Sequence, residues 1–236
     1  MINLRQRSYQ KELLDADNIP FADIAQNLKE LNFINKWLGG HAITLKGLKR
    51  LIDSDKSLTI CEIGCGGGDN LFAIHKWCNK EDIPANFIGI DMNPECIAFA
   101  KKQYTQLSCQ WICSDYQKIE FKNEEPTVIF SSLFCHHFTD EQLIVMLQWL
   151  ERNSKLGFFI NDLHRHWLAY YLIKYLAKAF SKSRLLKNDA PLSVAKGFKK
   201  REWEQLMNEA EIKNFIINWK WAFRWLVIVR NRNANE

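Results

Sequence analysis

Leu58–Leu71 reads LTICEIGCGGGDNL. The run from Leu58 to Glu62 is short and mostly apolar, with β-branched residues at Thr59, Ile60 and Ile63, which predicts a buried strand. Gly64, Gly66, Gly67 and Gly68 follow, and from Asn70 and Leu71 an apolar pattern with helical spacing runs through Trp77. Strand, glycine turn and helix together make a nucleotide-binding βα corner. Glycine is needed there because the chain reverses sharply and must let a ligand approach its backbone. A dinucleotide fingerprint G-x-G-x-x-G starting at Gly64 would need a third glycine at 69, where Asp69 stands, so a nicotinamide-dependent reductase is disfavoured.

Outward from this corner the pattern repeats. Asn86–Asp91 (NFIGID) predicts a second strand ending in a carboxylate, the position from which a doubly wound sheet bonds a ribose diol. Asn93-Pro94 opens a helix to about Tyr104, with proline where the first turn tolerates it. Trp111–Tyr116 reads as a third strand ending at Asp115, Pro126–Ser131 as a fourth and Leu156–Asn161 as a fifth. Two β-rich runs, Ile212–Trp219 and Ala222–Val229, close the chain.

The EIGCGGG form resembles motif I of the class I S-adenosylmethionine-dependent methyltransferases. The resemblance implies an α/β fold: a doubly wound seven-stranded Rossmann-like sheet whose last strand is antiparallel, with S-adenosyl-L-methionine as cofactor. It implies that Asp91 holds the ribose, Met92 stacks on adenine and Asp115 bonds the adenine amino group. Glu62, Gly64, Cys65, Gly66, Gly68, Asn70, Tyr116 and Ser131 complete the expected cofactor contacts. The specific part of the likeness is Leu58–Asp115; beyond it the likeness is topological.

The chain has 236 residues, 47% hydrophobic and 25% charged, enough for one large α/β domain with a small appendage. Two parts are expected: a helical N-terminal cover (1–57) and the cofactor-binding domain (58–236). In the cover, Ala22–Leu38 sets Ile24, Leu28, Leu31, Ile34, Trp37 and Leu38 on one helical face and stops at Gly39-Gly40; a second helix follows over His41–Ile52. Asn35–His41 is polar and glycine-rich at a helix end, a candidate ligand contact. The seven cysteines are scattered and lack C-x-x-C spacing, so they read as small buried hydrophobes and no metal is expected. The N-terminus, MINLRQRSYQKELLDAD, is polar from the start, and apolar runs are broken by lysines. A cytoplasmic protein is expected, with peripheral membrane association as a further reading.

Ligands of open α/β sheets bind beyond the carboxyl ends of the strands. His136 and His137 fall there, just ahead of Thr139-Asp-Glu-Gln142, a capping box that starts a helix. Methyl transfer to a hydroxyl requires alignment and removal of a proton, which histidine suits near neutrality. His137 is the preferred base, because small-molecule members of the resembling family often carry His-apolar-x-Asp at this place. His136 is its alternative, and His164, in Asn161-Asp162-Leu-His164, a candidate for orienting substrate. No N/D-P-P-Y follows the fourth strand, which disfavours amide or exocyclic amine nitrogen as acceptor. Asn161-Asp162 alone makes no magnesium site.

Between His164 and Arg201 stand ten Lys and Arg (165, 174, 178, 182, 184, 187, 196, 199, 200, 201) against the single acid Asp189, a local charge of +9 in a chain of net +5. Lys174, Lys178 and Lys182 recur every four residues beside Trp167, Tyr170, Tyr171 and Tyr175. This insertion reads as a helical lid that also suits an anionic membrane surface, an acidic carrier protein or an anionic substrate; nucleic acid is disfavoured. The expected activity is methyl transfer to a small apolar or aromatic acceptor, O-methylation favoured. Carbon methylation of a quinone-type precursor and a non-catalytic cofactor-binding partner are the alternatives, and ELLDAD…LKELNFINKWLGG with NDLHRH resembles a subgroup linked to polyketide or quinone chemistry.

Overall fold

The computed structural model describes residues 3–16, 19–52, 57–121 and 125–231. Two helices, α1 (Phe21–Trp37) and α2 (Gly40–Lys49), precede β1 (Leu58–Ile63). Then come α3 (Asp69–Lys80), β2 (Ala85–Asp91), α4 (Pro94–Gln103), β3 (Cys109–Cys113), β4 (Val128–Ser132), α5 (Asp140–Asn153) and β5 (Gly157–Leu163). The chain ends with α6 (Trp167–Phe180), α7 (Arg184–Lys196), α8 (Lys200–Glu209), β6 (Phe215–Lys220) and β7 (Arg224–Arg230). The strands form one sheet in the order β3-β2-β1-β4-β5-β7-β6, parallel except for β7, which runs antiparallel to both β5 and β6.

The central strands are apolar on both faces because helices cover both. Side chains alternate with period two: Leu58 and Ile60 of β1, Val128 and Phe130 of β4 and Phe159 of β5 join the core under α2 and α3, while Cys61, Ile63, Ile129, Phe158 and Ile160 join the one under α5 and α8. Local chemistry places the helix starts. Asn93 Oδ1 accepts from the backbone N–H groups of Glu95 and Cys96, and Thr139 and Gln142 cap α5 reciprocally. Strand order reverses between β1 and β4, which opens a crevice at their carboxyl ends.

The expected boundaries need adjustment, each for a tertiary reason. β3 ends at Cys113, not at Asp115-Tyr116: it is an edge strand, and its partner β2 is used up where Asp91 pairs with Cys113. β5 runs on to Leu163 because β7 keeps pairing it, Leu163 opposite Arg224. α1 buries Ile24 and Leu28, but Trp37, expected on the same face, is 70% exposed. Five of the seven cysteines are buried and all are free.

Gly47 marks where α2 lies closest to the sheet. A Cβ there would stand 2.4 Å from a ring carbon of Phe159, itself buried and stacked on Phe130 with ring centroids 4.9 Å apart. Helix propensity favours alanine over glycine by about 1 kcal/mol, whereas overpacking a rigid core costs about 1–3 kcal/mol. Gly47→Ala is therefore expected to lower unfolding stability by up to about 2 kcal/mol net in urea titration at unchanged m; a stabilised variant would refute the close-approach account.

Candidate active site

The crevice between β1 and β4 holds a cavity of about 310 Å³, walled by Glu62, Gly64, Cys65, Gly66, Asn70 and Asp91 among others. Gly64, Gly66 and Gly68 have φ of 64°, 50° and 79°, so the turn after β1 requires residues free to adopt left-handed backbone. Asp91 at the end of β2 accepts from the N–H of Gly66 (2.8 Å) and of Asn93 (2.9 Å), tying the glycine turn to the second strand. Burial raises its pKa against the pull of those two bonds. Glu62 is buried, and burial, then the nearby charge of Asp69, raises its carboxyl well above the ordinary range. A buried relay orients it: Asn161 Nδ2 donates to Thr44 Oγ1, Thr44 Oγ1 to Asn70 Oδ1, and Asn70 Nδ2 to Glu62 Oε1. Glu62 Oε2 has no partner among the described residues.

Other expected cofactor residues stand elsewhere. Gly68 does not line this cavity; a Cβ there would meet the Trp111 ring at 2.4 Å, so its absence serves packing. Met92 is 70% exposed. Asp115 caps a single 3-10 turn through the N–H of Gln117, Tyr116 packs edge-on against Trp149, and Ser131 contacts the Cys135 thiol; none of the four borders the cavity. The polar helix end does reach it: Asn35 lines the wall, and Asn35 Nδ2 (3.0 Å) and His41 Nε2 (2.7 Å) both contact Asp69 Oδ2.

A second cavity, also about 310 Å³, adjoins the first and is far more apolar in its walls. Leu31, Ile34 and Leu38 line it, so much of the α1 stripe walls a chamber instead of packing on the sheet. Leu172, Ile173 and Leu176 of α6 face it across the space, and Leu14, Leu31, Leu133 and His137 border both cavities. His137 thus stands at the shared wall.

The surroundings of that histidine come from a segment that entered the sequence reading only as part of the helical cover and, through ELLDAD, of a subgroup resemblance. Residues 3–16 cross the carboxyl edge of the sheet as a strap. Arg7 bonds Asp140, the Phe138 carbonyl and the Lys196 carbonyl, and Asp189 accepts from the N–H groups of Leu13 (2.8 Å) and Leu14 (3.0 Å). The strap thereby carries Glu12 and Asp15 to the histidines. Asp15 Oδ1 lies 3.4 Å from His137 Nδ1, and Glu12 Oε2 lies 3.9 Å from His137 Nε2. Burial lowers the His137 pKa, but the Asp15 hydrogen bond and the Glu12 charge outweigh it, and the net shift is upward from 6.5. Burial raises Asp15, yet His137 holds it down at about 2.

His136 lines only the apolar cavity. Its Nδ1 lies 2.8 Å from Asp162 Oδ1, which fixes the ring, and its plane tilts against His137 with centroids 4.4 Å apart. Asp162, fully buried, is nevertheless held below the usual range because His136 and the Leu163 N–H bond it. His164 borders neither cavity: Trp219 Nε1 donates to its Nδ1, and burial with His166 and Arg165 nearby lowers it to about 4. Glu12, His136 and His137 bring ligand atoms within 4.8 Å of one another, but Lys196 Nζ sits 3.1 Å from Glu12 Oε1 and already supplies the cation there. Of the residues that matter here, Glu12, Asp15, Lys196 and Arg224 carried no periodic or spacing signal.

Residues 60–157 match the family model described as a methyltransferase domain. No curated protein matches the sequence. Among solved structures, the plantazolicin methyltransferase BpumL in complex with SAH is similar at TM-score 0.67 and 20% identity, over 92% of this chain and 91% of that one. A SAM-dependent methyltransferase from Aquifex aeolicus aligns at TM-score 0.61 and 16% identity, over 90% and 99%. Human N-acetylserotonin methyltransferase in complex with SAM gives 0.62 and 12%, over 90% of this chain and 56% of that one. At these identities the likeness carries the fold.

The residues of the crevice fit the cofactor that such a domain uses. The unpartnered Glu62 Oε2 is a buried acceptor for an ammonium, and Asp91 closes the second strand beside the glycine turn. Asp91→Ala is expected to weaken binding of S-adenosylhomocysteine by about 1–3 kcal/mol, roughly 5- to 150-fold by calorimetry, in a folded protein; unchanged affinity would remove Asp91 from the site. The matched methyltransferase domain, residues 60–157, thus holds the glycine corner and the carboxylate that ends β2, in a sheet that shares its fold with S-adenosylmethionine-dependent methyltransferases.

Proposed function

We propose that this methyltransferase acts on the oxygen of a small, apolar or aromatic acceptor, and that His137 is the general base. The observation that carries the reading is the adjacency of the two cavities with His137 in their common wall. Bound S-adenosylmethionine supplies an electrophilic methyl group for in-line displacement. The acceptor hydroxyl must then approach from the apolar chamber, and its proton must leave as the bond to carbon forms. His137 is within reach of both sides. Asp15 and Glu12 stabilise the imidazolium produced when it takes that proton, and Lys196 tempers their charge. His136, locked by Asp162, buttresses the His137 ring.

The chamber walls favour an acceptor of polyketide or quinone type. Leu31, Ile34, Leu38, Leu172 and Leu176 offer mostly aliphatic contact. One polar anchor stands among them: Arg224 is buried, its Nη2 donates to Asn35 Oδ1 at 2.9 Å, and its Nη1 has no partner among the described residues. Such a donor suits a carbonyl or ionised oxygen on an aromatic ring. Carbon methylation of a quinone precursor uses the same geometry with the base drawing the phenolic proton, and is the second reading that Arg224 supports.

His137→Ala is expected to slow turnover by about 10²–10⁴-fold while S-adenosylhomocysteine affinity stays within a few-fold. If His136→Ala slows turnover and His137→Ala does not, the base is His136. Because the His137 pKa is raised above 6.5, its base form is lost as pH falls through that raised value. The kcat/KM profile is expected to drop on the acid side with a midpoint above 6.5, and His137→Ala to erase that limb; a flat wild-type profile between pH 6 and 8 would count against a titrating base.

A further inference from the structure

α6 turns its apolar side outward. Only Ala169 and Ala177 of its fourteen residues are buried, whereas Trp167 (61%), Tyr175 (62%) and Phe180 (80%) are exposed, with Leu168 and Tyr171 beside them. A surface helix normally buries this kind of face, and contiguous apolar exposure marks an interaction site. Leu172 and Leu176 are half-exposed and line the apolar cavity at the same time, as does Trp221 from the β6–β7 connection, 66% exposed. The mouth of the acceptor chamber therefore opens beside the outward face of α6.

The charge around that face is of one sign. Lys174 and Lys178 flank the aromatic line on the helix, and Lys182, Arg184 and Lys187 follow in the turn and on α7, all exposed. The expected lysine ridge is corrected in one respect, since α6 ends at Phe180 and Lys182 lies beyond it. Part of the +9 is also spent inside: Arg165 pairs with Glu202 and Lys196 with Glu12 and Asp15, both buried. The lone acid of the insertion, Asp189, is buried against the strap. What remains outside is an aromatic and aliphatic strip edged by cations.

We infer that this face docks on an anionic lipid bilayer, with the acceptor chamber opening towards the membrane. Tyr and Trp settle at the level of lipid headgroups, and flanking lysines meet anionic ones. A second copy of this chain on the same face would bring Lys174 and Lys178 against like charges. An acidic carrier protein would engage the cations yet leave Trp167, Tyr175 and Phe180 in water. No helix among the described residues is long and apolar enough to cross a membrane, so the contact is interfacial. The inference rests on the proposed apolar acceptor only for its purpose, a substrate taken from the lipid phase.

The test is cosedimentation of the full chain, without acceptor, on vesicles of phosphatidylcholine with and without phosphatidylglycerol. Binding is expected on the anionic vesicles and to weaken with salt. Lys174→Glu with Lys178→Glu is expected to reduce partitioning at least about 25-fold, about fivefold for each lysine. Trp167→Ser with Tyr175→Ser and Phe180→Ser is expected to reduce it at least about tenfold at any salt. All variants should keep S-adenosylhomocysteine affinity, which shows that they fold. Wild type that ignores anionic vesicles overturns the inference. So does retention by an acyl carrier protein in place of vesicles, or light scattering that shows a dimer dissolved by the aromatic substitutions. Because no acceptor is present, none of these outcomes depends on which molecule is methylated.

Discussion

Glu12 and Lys196 meet at 3.1 Å in a place where neither could stand alone. A buried carboxylate or ammonium without a partner loses several kcal/mol of hydration, so the pair can exist only when the N-terminal strap and α7 are both in place. Ser193 Oγ donates to the same Glu12 carboxylate, and Asp189 on the same helix holds the strap by its backbone. The strap in turn carries Leu14 into both cavities and Asp15 to His137. Removing either charge of the pair would strand the other beside the candidate base, so strap, α7 and the setting of His137 stand or fall together.

The two cavities divide the work by polarity. On one side, glycine backbone and the carboxylates of Glu62 and Asp91 form a wall suited to a charged, hydrogen-bonding ligand. On the other, aliphatic side chains from α1, α6 and α7 form a wall that repays burial of an apolar one. Displacement chemistry needs both, because the electrophile is held by polar contacts while the nucleophile reacts best out of water. The boundary falls at the end of β4, where the sheet order reverses and the chain can place two consecutive histidines at a single edge.

Polarity also organises the outside. α6 is a two-sided wall: its inner residues shape the chamber, and its outer aromatics with Lys174 and Lys178 shape a surface. An acceptor that is apolar enough for the chamber is poorly soluble in water. On the proposed reading, an outer face of α6 that suits lipid would shorten the path of such an acceptor to His137.

How much of this could be read without coordinates follows from the range of the forces involved. The glycine corner after β1, the carboxylate that ends β2 and the capping box of α5 are local: backbone conformation and caps are settled within a few residues, and each stands where the sequence pattern predicts it. Strand composition and turn residues likewise located the strands, while their arrangement in one seven-stranded sheet was implied by the resemblance. His136 and His137 could be placed at the sheet edge because they follow a strand end, while the preference for His137 came from the resemblance. The Glu12–Lys196 pair could not, since its partners are far apart in sequence and a buried charge leaves no periodic trace. Asp115 and Met92 were assigned from a resemblance, and neither borders the crevice cavity: the edge strand β3 stops at Cys113, where β2 runs out of pairing residues, and Asp115 caps the turn that follows. The α1 stripe was read as the inner face of a helical cover, and only the placing of α6 and α7 above it, leaving room between, made it the wall of a chamber: amphipathicity specifies that a face be covered, while tertiary packing decides by what.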